Sequence, residues 1–312
     1  MLNLSYTKSV GLTEQLNRID ELRKELLLLP LSPVDELGFQ WDAQLNLIHY
    51  LLGFGGILVE KDQIKSYLSP MGNRNPHPHQ TLIESYKRAY DYLYHHWLVS
   101  PKPVTTEALV DFYRETYGTV PQLTGDNSLN TSLRYIQVNP EHPVIQAALA
   151  QILILTLSPF GEYNEQFAQL VLLLFLYKYG YDMRRLPVYV SFFYRDIVTY
   201  KDMVIQTSRL QNVTAWLEYV SRAVIDELQK TVTRLKSPRE QTGHEADRFN
   251  LNERQHAIIA LFNQPGIRVS NKMVQRKFKV SQITASRDLA KLTKLGVVFP
   301  IGKGRSTYYT KV

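Results

Sequence analysis

The stretch HPVIQAALAQILILTLSPFGEYNEQFAQLVLLLFLYKYG, residues 142–180, decides how the rest of the chain is read. It holds two long apolar runs separated by a short polar interruption, LSPFGEYNEQFAQL at 157–170. Pro143 stands where a helix opens, since proline is tolerated in a first turn. Residues 143–156 are apolar nearly all round, the pattern of a helix at the centre of a core. The second helix, 164–179, reads the same way and stops at Gly180. Its longest apolar run, LVLLLFLY at 170–177, falls well short of the roughly 20 residues that span a bilayer. A polar loop between two buried helices is a place for a site. This one carries Ser158, Glu162, Asn164, Gln166 and Gln169, but neither histidine nor arginine.

Upstream, TEQLNRIDELRKELLLL at 13–29 places Leu16, Ile19, Leu22 and Leu26 at helical spacing, and Pro30 ends it. Residues 41–54 and 60–68 predict further helices joined by the turn GFGG, and a Pro- and Gly-punctuated loop fills 69–80. Residues 81–98 form an aromatic-rich helix in which Tyr86, Tyr90, Tyr94 and Trp97 make one stripe, read as a core contact. Thr105–Tyr117 is another helix, with Thr106 as its candidate cap and Val110, Phe112 and Tyr113 on its buried side. SLRYIQVN alternates apolar and polar residues and predicts a short strand or hairpin arm. Downstream, 188–207 and 212–235 hold two or three helices, and the polar stretch 236–250 is the linker candidate. His77, His79, His95 and His96 lack neighbouring carboxylates or thiols to complete a metal site, and His142 reads as a capping or surface residue.

The chain has 312 residues, 44% of them hydrophobic, enough for two domains with a sizeable core. It has no cysteine, so neither disulfides nor thiolate chemistry are available, which fits a reducing, cytoplasmic setting. The first residues carry no basic-then-apolar pattern, so no signal peptide is expected. The net charge of +7 is unevenly placed. Residues 251–312 hold 12 Lys plus Arg against Glu253 and Asp288, a charge of +10, and residues 1–250 hold 24 against 27, a charge of −3. A near-neutral body with a basic end points to a polyanion-binding module.

That end reads as three helices and two strands. LNERQHAIIALFN turns Ile258, Ile259, Leu261 and Phe262 inward; SNKMVQRKFKV is capped by Ser270; and the third helix, capped by Ser281, has Ile283, Leu289 and Leu292 as its inner stripe. Thr284, Ser286, Arg287 and Lys291 are left outside. VVFPIGKGRSTYYTKV gives two strands around GKGR. This is the order of a winged helix-turn-helix, in which the third helix enters the major groove and the wing follows the backbone. Lys303, Arg305, Arg276 and Lys277 would then meet phosphates, and Arg287 a guanine edge. A basic face used only for protein contacts, including dimerisation, is the competing reading.

With these elements in place, residues 142–180 resemble the core of Fic (Fido) domain proteins. The family motif, His-Pro-Phe-x-Asp-Gly-Asn-Gly-Arg-x-x-Arg, aligns with Ser158, Pro159, Phe160, Gly161, Glu162, Tyr163, Asn164, Glu165, Gln166, Phe167, Ala168 and Gln169. The resemblance implies that Ser158 replaces a general base, Glu162 a magnesium ligand, Tyr163 and Glu165 two phosphate-cradling glycines, and Gln166 and Gln169 two phosphate-binding arginines. A serine hydroxyl is no base without a partner. A carboxylate at a helix N-terminus opposes a phosphate, and each lost charge-assisted hydrogen bond is worth about 1.5–3 kcal/mol. The family's inhibitory Ser/Thr-to-Glu-Gly segment matches YLLGFGG, where Tyr50 and Phe54 replace the hydroxyl and the glutamate, and Gly55 is kept.

The fold expected is mainly α: a Fic-like helical domain with a short β-hairpin, followed by a winged helix. Residues 1–100 form its N-terminal helical region, 101–235 its core, 236–250 a linker and 251–312 the winged helix. The function expected is that of a non-catalytic, regulatory or signalling DNA-binding protein, with no cofactor and no membrane. A protein partner and a homodimer are both compatible with it. The alternative is a protein nucleotidyltransferase that moves AMP from ATP to a protein hydroxyl, using magnesium at Glu162 and phosphate contacts at Asn164. A scaffold that touches only proteins is a third reading.

Overall fold

The computed structural model describes residues 4–68, 78–123, 126–138, 141–210, 212–237, 251–262, 267–294, 298–302 and 307–310. Two compact units divide the chain: residues 1–29 with 42–237, and residues 30–41 with 238–312. The first unit opens with α1 (Val10–Leu28) and continues in α2 (Pro33–Phe54), α3 (Lys61–Leu68), α4 (Gln80–Trp97), α5 (Thr106–Tyr117) and α6 (Asp126–Val138). It closes with α7 (Pro143–Leu157), α8 (Asn164–Lys178), α9 (Val190–Arg195), α10 (Ile197–Leu210) and α11 (Thr214–Lys236). The unit boundary falls inside α2, whose residues up to Trp41 belong to the second unit.

The centre of the first unit is the pair α7 and α8, packed along each other, with α1 packed along α11. Residues 144–154 of α7 and 166–178 of α8 are all buried, as their all-round apolar patterns require. No described helix is long and apolar enough to cross a membrane. Trp216 of α11 donates its indole N–H to the Ala148 carbonyl at 2.9 Å, which fixes α11 on α7. Leu16, Ile19, Leu22 and Leu26 are buried as their spacing predicts. The α4 stripe is a core contact too, with Tyr86, Tyr90 and Trp97 buried and the Arg185 guanidinium 4.2 Å from the Tyr94 ring centre.

Three expectations about elements and their ends are corrected. SLRYIQVN is the end of α6, not a strand, and no strand lies among the described residues of the first unit. The cap of α5 is Thr105, whose hydroxyl accepts from the Ala108 N–H at 3.2 Å, while Thr106 is its first helical residue. The helix predicted from residue 41 begins at Pro33, where the Ser32 hydroxyl accepts from the Asp35 N–H at 3.1 Å.

The second unit contains α12 (Glu253–Leu261), β1 (Val269–Ser270), α13 (Asn271–Phe278), α14 (Gln282–Lys294), β2 (Phe299–Ile301) and β3 (Tyr308–Thr310). Its sheet is antiparallel in the order β1-β3-β2, with Tyr309 opposite both Val269 and Pro300. Ile258, Ile259, Phe262, Val274, Leu289 and Leu292 form the core, and Leu37 of α2 is part of it. Asn252 caps α12 in a reciprocal pair with Gln255, and Ser270 and Ser281 accept from the Met273 and Thr284 N–H groups at the heads of α13 and α14. Asp288 is buried and accepts from Arg254 Nε at 2.6 Å and Gln255 Nε2 at 2.7 Å, so α12 and α14 are tied by charge.

Candidate functional site

The loop between α7 and α8 is shaped by its own side chains. Ser158 ends α7 in the left-handed region at φ 47°, with its N–H bonded to the Ile154 carbonyl, and its side chain is exposed. Pro159 and Phe160 are buried, and the Phe160 ring lies between those of Tyr113 and Phe167 at 5.4 and 4.5 Å. A single 3-10 turn, Gly161–Tyr163, leads into α8. Tyr163 stacks on Tyr117, with centres 4.4 Å apart and planes 8° from parallel.

Asn164 is buried and structural. Its side-chain carbonyl accepts from the Phe160 N–H at 3.2 Å and its amide donates to the Ile154 carbonyl at 2.9 Å. It therefore pins the loop to the end of α7, as the first residue of α8. Gln169 is fully buried, donates to the Tyr200 hydroxyl at 2.7 Å and accepts from Gln151 at 2.8 Å. Burial pushes the Tyr200 phenol far up, so the phenol stays neutral at every ordinary pH. Phe54 meets the Tyr200 ring edge-on at 5.4 Å. Gln166 is also buried, and a Cβ added at Gly55 would come within 2.7 Å of its Nε2, so the turn after α2 closes on it.

Phe54, Gly55, Ser158, Glu162, Glu165 and Gln166 all line one cavity of about 610 Å3, which α10 closes with Tyr200 and Lys201. The expected loop positions are thus brought together, except Gln169, which lies in the core beneath them. Sequence reasoning missed α10 as a wall, since nothing in its spacing announces that Tyr200 and Lys201 face this loop. The cavity's described lining offers one ammonium against two carboxylates. This donor set does not fit the phosphates of a nucleotide, which need cations and free N–H groups at close range. Among the described residues no group of three or more His, Cys, Asp or Glu gathers that could hold a metal ion. His77 lies outside the described residues.

No protein-family model matches the sequence, and no curated protein matches it either. Solved structures do match. A Fic family protein from Desulfovibrio desulfuricans aligns over 99% of this chain and 98% of its own, with a TM-score of 0.58 at 13% identity. The chain has the Fic fold. Fic-1 from C. elegans aligns over 72% of this chain and 71% of its own, with a TM-score of 0.55 at 15% identity. A variant of Fic-1 gives 71% and 72%, with a TM-score of 0.53 at 17% identity.

A second candidate site belongs to the second unit, on the outer face of α13 and α14. Arg276, Lys277 and Arg287 are exposed, and among the described residues Arg287 makes no ion pair or hydrogen bond. Ser286 is exposed and accepts from Asn271 Nδ2 at 2.7 Å, which fixes α13 against α14. Thr284 is half-buried, with its hydroxyl 2.9 Å from that of Ser281. Lys291, expected outside, is half-buried and donates to Gln255 at 3.2 Å. Ile283, expected on the inner stripe, is 65% exposed, and its inner place is taken by Ala285, which is fully buried with Leu289 and Leu292. Lys303 and Arg305 lie outside the described residues.

Proposed function

We propose that this is a regulatory protein in which a catalytically silent Fic-fold unit accompanies a DNA-binding winged helix. The observation that carries the reading is that Arg276 and Lys277 of α13 and Arg287 of α14 are all exposed, in a unit whose one buried acid among the described residues, Asp288, is already paired with Arg254. Three helices with a small antiparallel sheet, in the order α12-β1-α13-α14-β2-β3, support the winged-helix assignment. In that geometry α14 enters the major groove, Arg287 reaches a guanine, and Arg276 and Lys277 meet phosphates, as Lys303 and Arg305 would from the turn between β2 and β3. Thr284 and Ser286 stand at the head of the same helix. Lys291 contributes through Gln255 rather than at the surface.

The silent loop is supported by chemistry. Ser158 has no basic nitrogen to take a proton, and the cavity sets Glu162 and Glu165 against a single Lys201. Loss of the usual cofactor, ATP with magnesium, follows from that balance. The second reading, nucleotide transfer to a protein hydroxyl, rests on the 610 Å3 cavity itself, which has room for a small molecule.

Binding of the whole protein to a pool of random duplexes, followed by fluorescence anisotropy across a salt series, tests the proposal. Log affinity is expected to fall linearly with log salt, and Arg276→Glu with Lys277→Glu is expected to abolish binding. Undiminished binding in that double variant sinks the assignment. Calorimetry with ATP and magnesium is expected to show no heat; micromolar binding would restore the enzyme reading.

A further inference from the structure

On the reading that α14 enters a DNA groove, we infer that Ile283 reads a thymine methyl and that it sets sequence specificity together with Arg287. Ile283, Ser286, Arg287 and Ala290 stand at i, i+3, i+4 and i+7 and are all exposed, so they form one continuous outward stripe. The opposite side of the helix buries Ala285, Leu289 and Leu292. A large β-branched side chain that is 65% exposed on the outward stripe contributes little to the packing of this unit, and isoleucine is a poorer helix former than the straight-chain residues usual at such a place. Its apolar surface gains free energy only when something covers it.

The surroundings identify what covers it. Arg287 follows one helical turn later, without a partner among the described residues, and Lys272, Arg276 and Lys277 of α13 are exposed on the same unit. A strongly basic rim excludes a wholly apolar partner surface and matches a polyanion. Within a major groove, the apolar group that a base edge presents is the C5-methyl of thymine, and the group that an arginine grips in a bidentate way is guanine O6 and N7. Ser286 is already engaged by Asn271, so it is held in place and does not compete for the base edge. Four residues of helix advance about 6 Å, and successive bases are about 3.4 Å apart along a strand. Ile283 and Arg287 therefore address bases one or two steps apart, and the recognised site contains a thymine and a guanine at that separation.

The test begins with selection of duplexes from a random pool by the full chain. Each thymine of the selected site is then replaced by deoxyuridine, which removes one methyl and leaves every hydrogen-bonding group. One replacement is expected to weaken binding about fourfold, the worth of one buried methyl. Ile283→Ala, at an exposed position, is expected to fold normally and to bind thymine and deoxyuridine duplexes equally. A selected site bound by the wild type with no sensitivity to any deoxyuridine overturns the inference while leaving DNA binding intact, and assigns Ile283 to a protein contact. Full methyl discrimination retained by Ile283→Ala also overturns it. Failure to select any duplex overturns the DNA-binding reading, and this inference with it.

Discussion

Gln169 sits fully buried between Gln151 and Tyr200, and each of its two polar atoms is bonded to one of them. Removing one partner of a buried hydrogen bond costs more than the bond itself is worth, because the other group stays desolvated and unpaired. Gln169→Leu strands both the Gln151 amide and the Tyr200 hydroxyl, and is expected to lower stability by about 2–4 kcal/mol in denaturant melts. A change under about 0.5 kcal/mol would show that the chain of bonds is dispensable. Asn164→Ala removes two bonds at once, to Phe160 and Ile154, and is expected to cost about 2–3 kcal/mol by the same measurement. The identity of both residues at their loop positions was legible in the sequence, and so was their lack of charge. Their partners were not. The Asn164 bridge depends on the left-handed turn at Ser158, which brings the Ile154 carbonyl within reach, and no spacing rule encodes that approach.

Helix α7 opens on His142, whose Nδ1 accepts from the Val144 N–H at 3.2 Å, so the capping nitrogen must be unprotonated. Burial pushes the imidazole below its ordinary value of 6.5, against the opposing pull of Asp20. The unfolded chain therefore takes up the proton first as pH falls. The contribution of the neutral cap is complete above about 6.5 and is lost as pH drops through the lower folded value. His142→Asn keeps an acceptor at the cap and removes the titration. The melting temperature of the wild type is expected to fall further than that of the variant between pH 7 and pH 5; parallel curves would show that His142 does not couple pH to folding. Periodicity located α1, α7 and α8 because their apolar stripes are long. It failed on α6, where Leu129, Leu133 and Ile136 are buried at helical spacing while exposed Tyr135 and Val138 imitate a strand's alternation over a few residues. It also misplaced Ile283, since a short helix with one buried acid, Asp288, leaves two registers for its inner stripe.

The two units are not contiguous in sequence, because residues 30–41 belong with 238–312. Leu37 is 7% exposed within the core that Ile258, Phe262 and Leu289 form, and Trp41 packs against that core. Ser32, Pro33, Asp35 and Glu36 carry an ordinary helix start, but its destination more than 200 residues away leaves no trace in local pattern. A domain of about 60 residues buries too little apolar surface to tolerate the loss of a core side chain. A fragment of residues 251–312 is therefore expected to melt well below a fragment in which residues 30–41 are fused to it through a flexible Gly/Ser linker. In the full chain Leu37→Ala is expected to destabilise the C-terminal unit by about 2–4 kcal/mol, read by proteolysis within that unit. Equal melting of the two fragments would show that α12, α13 and α14 close their core unaided. A higher melting temperature for the fused form would show that residues 30–41 complete the C-terminal core, and tighter duplex binding at fixed salt would tie that core to the proposed DNA binding.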